Sequence, residues 1–414
     1  MKHKVLYYTF LILTTVITLC LFKLPMETWK QPFVKQTQKF ISNQQVSPKR
    51  LYVNAWRNIK NQYYDPKMNG QDWSRWKTRY LEHIETEEDA NVAINTMLQS
   101  LDDPYSKFMA MPEYETQNNV IESNISGIGI NVVSIAGKLF ISNVLEDSPA
   151  QASNLMVGDI IEEINGIDIN NFPIEEAVKL IRGEKNTYIE LKIKRNKKYF
   201  RKRIKREVVR LKNVHVKILD SNIGYIQVAS FMGVYVPQEF EDAIKKTQNT
   251  KGIIIDLRGD AGGLLNNAVL VANMIIKKGN IVSITYRNGL KIDMPAQNTV
   301  IFKEKPIVIL INRGTASASE ILTGALRDNK NAILVGDRSY GKNSIQQIIT
   351  MPNHTGMNLT IAKYMMPNGE DIHNKGIKPD YYIPFTKQDH KKNKDPQLLK
   401  AEEIIKFAKA KTSK

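Results

Sequence analysis

The sequence predicts a multidomain protein of the α/β or α+β class, and two patterns support this. Between residues 252 and 326, an apolar run, a glycine turn and a helical apolar pattern occur twice in succession. This repetition is typical of a parallel sheet covered by helices, with functional loops at the strand carboxyl ends. Short alternating runs at residues 119–206 instead indicate a separate β-rich domain. A chain of 414 residues, 42% of them hydrophobic, is long enough for two or three domains.

The first 25 residues predict a membrane anchor. Residues 5–22 are mostly apolar and carry no charge, and Lys2 and Lys4 precede them. This length can span a bilayer and exceeds most secretory signal cores. We expect an uncleaved, single-pass signal anchor, because no small-residue cleavage site follows; a cleaved signal peptide is the alternative. The polar residues 26–49 indicate a linker.

The formal net charge of +17 suits an anionic partner, such as a membrane surface or an acidic wall polymer. No nucleic-acid motif accompanies the charge, so we do not expect nucleic acid as a partner. The basic run at residues 192–206 alternates with apolar residues, which predicts a half-exposed hairpin that turns near Asn196. Cys20 is the only cysteine, so the remainder of the chain has no disulfide and no thiol nucleophile.

Apolar spacing predicts three helices within residues 50–118, at 51–63, 72–84 and 88–101. Residues 119–206 follow with SGIGI at 126–130, then SPA and VGDIIEEING. Together these elements resemble a PDZ domain, in which the backbone N–H groups of such a loop bind a peptide carboxylate and the next strand accepts the peptide.

The PDZ resemblance implies that Gly127, Ile128, Gly129 and Ile130 contact a peptide, beside a groove helix at residues 175–181. Arg182 ends that helix. It could couple peptide binding to the following domain, although a solvated helix end is the plainer interpretation.

The loop after the second strand of the repeat has the composition of a nucleophile site. Gly314 permits a sharp turn, and small residues at 315–319 precede the helical pattern. Such a turn directs backbone N–H groups outward and leaves a serine hydroxyl accessible, as an oxyanion hole with its nucleophile requires. A lone serine in such a turn is, however, more often a helix cap.

A later loop supplies a candidate base. Residues 332–335 predict a buried strand, and the loop after it leads to Lys342, with Gln346 four residues on. A lysine acts as a general base only when neutral, so desolvation would have to lower its pKa from about 10.4 to roughly 7–8. Gln346 could then orient the amine.

The runs GTASASEILTGALRD and GDRSYGKNSIQ resemble the signature of the C-terminal processing peptidases, or tail-specific proteases, of peptidase family S41. The resemblance implies a serine endopeptidase with Ser317 as nucleophile, Lys342 as base and Gln346 as the supporting residue. DLRGDAGG resembles the family's D-L-R-x-N-P-G-G element, which implies oxyanion amides from Gly263 and Ala318.

The sequence departs from the family pattern at four positions. Thr315 replaces the usual serine, Asn343 replaces glycine, and Asp260 and Ala261 replace Asn-Pro.

The family resemblance implies a PDZ domain inserted before an α/β serine-protease core of the ClpP/crotonase-like type at residues 207–385. The composition of residues 386–414 predicts a basic tail and a helix. We expect protein or peptide substrates with free, apolar C-terminal tails, and a catalytic part outside the cytoplasmic membrane. Residues 50–118 could cradle the core and mediate a homodimer. We hypothesise that the PDZ domain blocks the catalytic cleft until a peptide binds.

Two other functions remain as alternatives. One is a catalytically silent PDZ adaptor at the cell envelope. The other is a Ser-His-Asp hydrolase that uses His354 or His373, although no G-x-S-x-G surrounds Ser317. We expect no metal and no cofactor, since no H-E-x-x-H or phosphate-binding glycine motif is present.

Overall fold

The structure is a computed structural model that describes residues 38, 41–329, 332–386, 388–389 and 394–412. Within these ranges, no helix combines the length and the apolar character needed to cross a membrane. The predicted anchor and most of the predicted linker lie outside the described residues, so both stay predictions.

Helices and strands are numbered here along the described chain. The helices are α1 Pro48–Gln62, α2 Trp76–Arg79, α3 Glu87–Gln99, α4 Met111–Ile121, α5 Pro149–Ala152, α6 Ile174–Ile181, α7 Val236–Lys246, α8 Leu265–Asn273, α9 Ala318–Asp328 and α10 Pro396–Thr412. The strands are β1 Lys107–Met109, β2 Asn124–Gly127, β3 Ile130–Ile135, β4 Lys138–Val144, β5 Ile160–Ile164, β6 Ile167–Asp168, β7 Tyr188–Arg195, β8 Lys198–Lys205, β9 Glu207–Arg210, β10 Val214–Ile218, β11 Gly224–Val228, β12 Ile253–Asp256, β13 Asn280–Tyr286, β14 Lys291–Pro295, β15 Ile307–Ile311, β16 Ile333–Gly336, β17 Ser344–Met351, β18 Thr355–Met365 and β19 Tyr381–Tyr382.

The predicted helix at residues 72–84 is wrong. A single 3₁₀ turn precedes the short helix α2, and turns follow it. The carbonyl oxygen of Trp73 accepts a hydrogen bond from Nε1 of Trp56 at 2.9 Å, and that of Trp76 accepts one from the hydroxyl of Tyr52. The N–H groups of Arg75, Leu81 and His83 bond to carbonyl oxygens three residues back, which closes separate turns instead of a continuous α-helix.

The described chain divides into two compact units. The first contains the described residues up to 62, together with residues 67–114 and 347–359. In it, α1 packs against α3 through their apolar faces, and β1 pairs antiparallel with residues 356–358.

The second unit contains the β-rich region and the core. In the β-rich region the strand order is β3-β4-β5-β7-β8, with β6 paired to β5, so β3 is an edge strand. Helix α6 packs near β3 and buries Ala177 and Ile181. The predicted hairpin is confirmed: β7 and β8 pair antiparallel, and Asn196 turns between them with φ 56°.

The core of the second unit is a six-stranded sheet in the order β10-β11-β12-β15-β16-β19, parallel from β11 onward. Alternate residues of its strands enter two different cores, because successive side chains point to opposite faces. Ile255 and Ile309 pack with α7, α8 and α9, whereas Ile254 and Val308 pack with Ile405 of α10. The predicted α/β layering is confirmed, and it brings the loops after β12 and β15 to one edge.

Candidate active site

Two loops that follow neighbouring parallel strands meet at this edge of the sheet. We call them the glycine turn (residues 258–263, after β12) and the serine turn (residues 312–317, after β15). Oδ1 of Asn312 accepts hydrogen bonds from the N–H groups of Gly259 and Gly314, both at 2.9 Å. One side chain therefore holds the two loops against each other.

Ser317 occupies a strained backbone conformation directly before α9. Its φ of 55° and ψ of −117° lie in a region that residues with a side chain rarely adopt. Such strain persists where the surroundings enforce it, and it concentrates at functional sites. Ser317 is half-buried, and the first amides of α9 follow it. The local geometry therefore resembles a nucleophile turn at a helix N-terminus.

The glycine turn approaches Ser317 so closely that a side chain would not fit. A Cβ on Gly262, which has φ 94°, would lie 2.8 Å from the backbone nitrogen of Ala318 and 2.9 Å from Cβ of Ser317. Within the described part of the chain, the N–H groups of Gly263 and Ala318 donate to no protein acceptor. They are thus available to a ligand beside Ser317, as the predicted oxyanion role requires.

Glu320 joins the serine turn to the lysine loop, which is the connection between β16 and β17 at residues 337–343. Its Oε2 accepts hydrogen bonds from the N–H groups of both Ser317 and Lys342, each at 2.9 Å. Its Oε1 accepts from the N–H of Gly341 at 2.7 Å and from the hydroxyl of Ser339 at 2.5 Å. Burial raises the pKa of Glu320, and these four hydrogen bonds oppose the rise.

Tyr364, on β18, bridges the same two loops through its hydroxyl. That hydroxyl lies 2.5 Å from the carbonyl oxygen of Lys342 and 3.2 Å from that of Ser317. The structure therefore brings Ser317 and Lys342 together, because the amides of both residues meet one side chain and the carbonyls of both meet another.

Gln346 lies on β17, and its amide nitrogen donates to the hydroxyls of Ser344 and Thr360, both at 3.0 Å. Both N–H bonds of the amide are thus occupied, and Oε1 is the atom that could accept from a lysine amine. The orienting role of Gln346 stays a prediction.

Asp260 is a buried carboxyl group in the glycine turn. Its Oδ1 accepts from the N–H of Gly262 at 2.8 Å, and its carbonyl oxygen accepts from Ala316 of the serine turn at 3.0 Å. Burial raises the pKa of Asp260 to about 7. The hydroxyl of Ser319 lies close enough to oppose this rise, although neither it nor Oδ2 of Asp260 meets hydrogen-bond geometry with any described group.

Two other departures from the family pattern have structural partners. The Thr315 hydroxyl is buried and donates to the carbonyl oxygen of Leu257 at 2.8 Å. The side-chain amide of Asn343 donates to Asp371 at 2.9 Å.

The predicted peptide loop lies between β2 and β3. Ile128 is buried in the core of the β-rich region, and its carbonyl oxygen accepts from Ala150 at 2.8 Å. Gly129 has φ 80°, and a Cβ there would lie 2.3 Å from Cβ of Ser148, so only glycine fits. Gly127 ends β2 and Ile130 begins the edge strand β3, beside α6.

Arg182 is exposed at the end of α6; its N–H donates to the carbonyl oxygen of Val178 at 3.0 Å, and its side chain makes no hydrogen bond or ion pair with the described residues. A different arginine, Arg206, is buried there and donates to the carbonyl oxygens of Leu180, Ile181 and Tyr188 at 2.8–2.9 Å. Arg206 thus caps α6, whereas coupling through Arg182 stays a prediction.

Neither histidine considered for a Ser-His-Asp site forms a hydrogen bond with Ser317 among the described residues. Nδ1 of His354 lies 3.4 Å from the hydroxyl of Ser42, and Nδ1 of His373 is buried without a hydrogen-bond partner. The described residues also hold no cluster of three His, Cys, Asp or Glu side chains that could bind a metal.

Sequence reasoning gave no role to Glu320 or Tyr364. Glu320 stands three residues after Ser317, the spacing of a capping box, and that signal could have identified its bond to the Ser317 amide. Its bonds to Gly341 and Lys342, and those of Tyr364, span 21 to 47 residues and have no local signature.

Comparisons with known proteins agree with this architecture. The model for "Peptidase family S41" matches residues 222–383, that for "PDZ domain" matches residues 119–194, and that for "Tricorn protease C1 domain" matches residues 47–98. The photosystem II D1 C-terminal processing protease is structurally similar, with a TM-score of 0.55 and 26% identity over 82% of this chain and 94% of that one.

Two curated relatives are similar over most of the sequence. The carboxy-terminal processing protease CtpA of Bacillus subtilis is 36% identical over 73% of this chain and 66% of that protein. The carboxyl-terminal-processing protease of Picosynechococcus sp. is 33% identical over 81% of this chain and 83% of that protein. The chain therefore belongs to peptidase family S41, a family of serine-type peptidases, as a carboxyl-terminal-processing protease with a PDZ domain.

Proposed function

We propose that the protein is a serine endopeptidase that uses a Ser317–Lys342 dyad to cleave unstructured or C-terminally tagged proteins. One observation carries the proposal: Oε2 of Glu320 accepts hydrogen bonds from the amides of both residues, each at 2.9 Å. A dyad requires that the two segments carrying the nucleophile and the base be held at a fixed separation, and this shared acceptor connects their backbones.

The chemistry follows from the proposed roles. Oγ of Ser317 attacks the peptide carbonyl carbon while the neutral amine of Lys342 takes the hydroxyl proton. The resulting oxyanion accepts hydrogen bonds from the N–H groups of Gly263 and Ala318, at the positive end of the α9 dipole. Lys342 then protonates the leaving amine. In the second half of the reaction, water attacks the acyl-enzyme while Lys342 takes its proton, and Lys342 returns that proton to Oγ of Ser317. Gln346 would accept a hydrogen bond from the amine through Oε1.

Substrate selection is proposed to reside in the β-rich region. The edge strand β3 offers unpaired backbone groups for β-augmentation, next to the positive-φ loop at Gly129. A free, apolar C-terminus would bind there, with its carboxylate on the amides of residues 127–130. The PDZ domain would then also gate the catalytic cleft.

We further propose that residues 5–22 anchor the protein in the cytoplasmic membrane, with the catalytic part outside it. The support is the uncharged apolar run and the family resemblance. A homodimer through the helices of residues 50–118 is part of the same proposal. Fractionation of cells, with protease added to intact spheroplasts, tests the anchor and its orientation.

Cleavage of an unstructured protein tests the dyad. Ser317→Ala and Lys342→Ala should fold and lose activity, because each removes one reacting group, whereas His354→Ala and His373→Ala should keep it. Activity that survives Ser317→Ala or depends on either histidine would overturn the proposal. Peptide binding without cleavage at any pH would favour the adaptor.

A further inference from the structure

Glu320 is fully buried, yet each of its carboxylate oxygens accepts two hydrogen bonds. The hydroxyl of Ser339 accepts from the N–H of Ile377 at 2.6 Å, so its own proton points to Glu320. All four partners are therefore donors, and they match the four acceptor sites of an ionised carboxylate. These hydrogen bonds favour the ionised form and oppose the cost of burying its charge.

The four donors belong to the two segments that would have to meet for catalysis. One is the amide of Ser317, two are the amides of Gly341 and Lys342, and the fourth is the hydroxyl of Ser339 at the base of the lysine loop. On the carbonyl side, the buried hydroxyl of Tyr364 lies within hydrogen-bond distance of Ser317 and Lys342. The two segments are thus connected through their N–H groups and also through their carbonyl groups.

We propose that Glu320 and Tyr364 are positioning residues that set the separation of nucleophile and base, Glu320 through the two amides and Tyr364 through the two carbonyls. This inference rests on the proposed dyad. Both side chains bond to the backbone of Ser317 and Lys342, Glu320 at the N–H groups and Tyr364 at the carbonyl oxygens. We expect the loss of either residue to lower kcat, because a displacement of about 1 Å in a reacting group can lower a rate on the order of 100-fold.

Glu320→Gln is the variant that tests this inference most directly. It keeps the shape but replaces one oxygen by an NH₂ group, which would face two donors instead of accepting from them. We expect kcat to fall about 100-fold per active site while KM changes less than about threefold, since the substrate groove is untouched. Reaction of Ser317 with a small sulfonyl fluoride should slow in parallel, because it needs the dyad but no peptide groove.

Glu239→Gln is the matched control. Glu239 is also a buried carboxylate that accepts two backbone amides, from Asn213 at 2.8 Å and Val214 at 3.1 Å, but it lies on α7. Its variant should lose stability and keep kcat per titrated site. If Glu320 had a purely structural role, Glu320→Gln would behave like Glu239→Gln. Its melting temperature would fall and its kcat per folded site would not change.

If Glu320→Gln does not fold, Tyr364→Phe tests the inference in its place. It should lower kcat about tenfold with KM unchanged, the scale of one misaligned catalytic contact. Tyr52→Phe, which also loses a buried hydroxyl bonded to a backbone carbonyl, should not. Wild-type kcat per site in either Glu320→Gln or Tyr364→Phe would overturn the inference. Activity in Ser317→Ala or Lys342→Ala would instead overturn the proposed dyad, so the two failures are distinguishable.

Discussion

At the scale of single residues, Asp260 carries an unfavourable charge close to the proposed nucleophile. Its ordinary pKa is about 4, and burial raises it to about 7 in the folded protein. The folded state therefore binds a proton more tightly than the unfolded state. The corresponding stability is present below about pH 4 and is lost as the pH rises toward 7.

Asp260→Asn should remove this pH dependence, because asparagine cannot ionise. Between pH 5 and pH 8 the wild type should lose about 2–3 kcal/mol more unfolding free energy than the variant. Urea denaturation at both pH values measures the difference. Parallel pH profiles for the two proteins would show that Asp260 titrates at its ordinary value.

Gly262→Ala should abolish most activity, because the added Cβ would lie 2.6 Å from the carbonyl oxygen of Ala316 and 2.8 Å from the nitrogen of Ala318. Gly289→Ala is the control, since Gly289 has a similar positive φ of 77° but no atom within 4 Å of its Cβ position. We expect kcat to fall at least about 100-fold for Gly262→Ala alone. Equal kcat in both variants would contradict the close approach of the two turns.

At the scale of elements, the buried strands and the helices after them follow from apolar pattern and glycine turns. β15 consists of aliphatic side chains and β12 has three isoleucines before Asp256; these apolar side chains fill both faces of the sheet, so short apolar runs predict the strands well. The helix predicted at residues 72–84 fails because N–H groups such as those of Leu81 and His83 bond three residues back, which forms turns and not a continuous α-helix. The dyad residues have local motifs, whereas the contacts of Glu320 and Tyr364 depend on the fold and leave no local pattern.

Arg258 connects the glycine turn to α10. It forms ion pairs with Asp256 at 2.6 Å and with Asp395 at 2.8 Å. Burial disfavours its charge, yet these two carboxylates raise its pKa above the ordinary value.

Arg258→Met should destabilise the protein by about 3–5 kcal/mol, because it leaves the buried Asp256 without its cationic partner. Arg201→Met removes exposed pairs with Glu190 and Glu163 and should cost much less stability than Arg258→Met, because solvent screens exposed ion pairs. Thermal and urea unfolding measure both. Similar losses in the two variants would show that the Arg258 pairs contribute no more than surface pairs.

At the scale of the whole molecule, the gating hypothesis states that peptide binding to the PDZ domain controls the activity of the catalytic site. A gate requires that a bound peptide favour the active state by differential affinity. If the PDZ domain only tethers substrate, an added peptide would compete with the substrate for the PDZ groove.

A non-cleavable peptide with an apolar free C-terminus separates these two cases. If the PDZ domain gates the cleft, the peptide should raise the hydrolysis rate of a short substrate that lacks a C-terminal tag. The amidated peptide is the control, because it cannot place a carboxylate on the loop amides. No change or inhibition by the free peptide would contradict gating.

The most direct test of the central claim is the site of covalent modification. After reaction with a sulfonyl fluoride, mass spectrometry of the digested protein should locate the adduct on Ser317. The same adduct should form much more slowly in Lys342→Ala, because the base that activates the hydroxyl is missing. An adduct on another residue, or an equal rate in Lys342→Ala, would contradict a Ser317–Lys342 dyad.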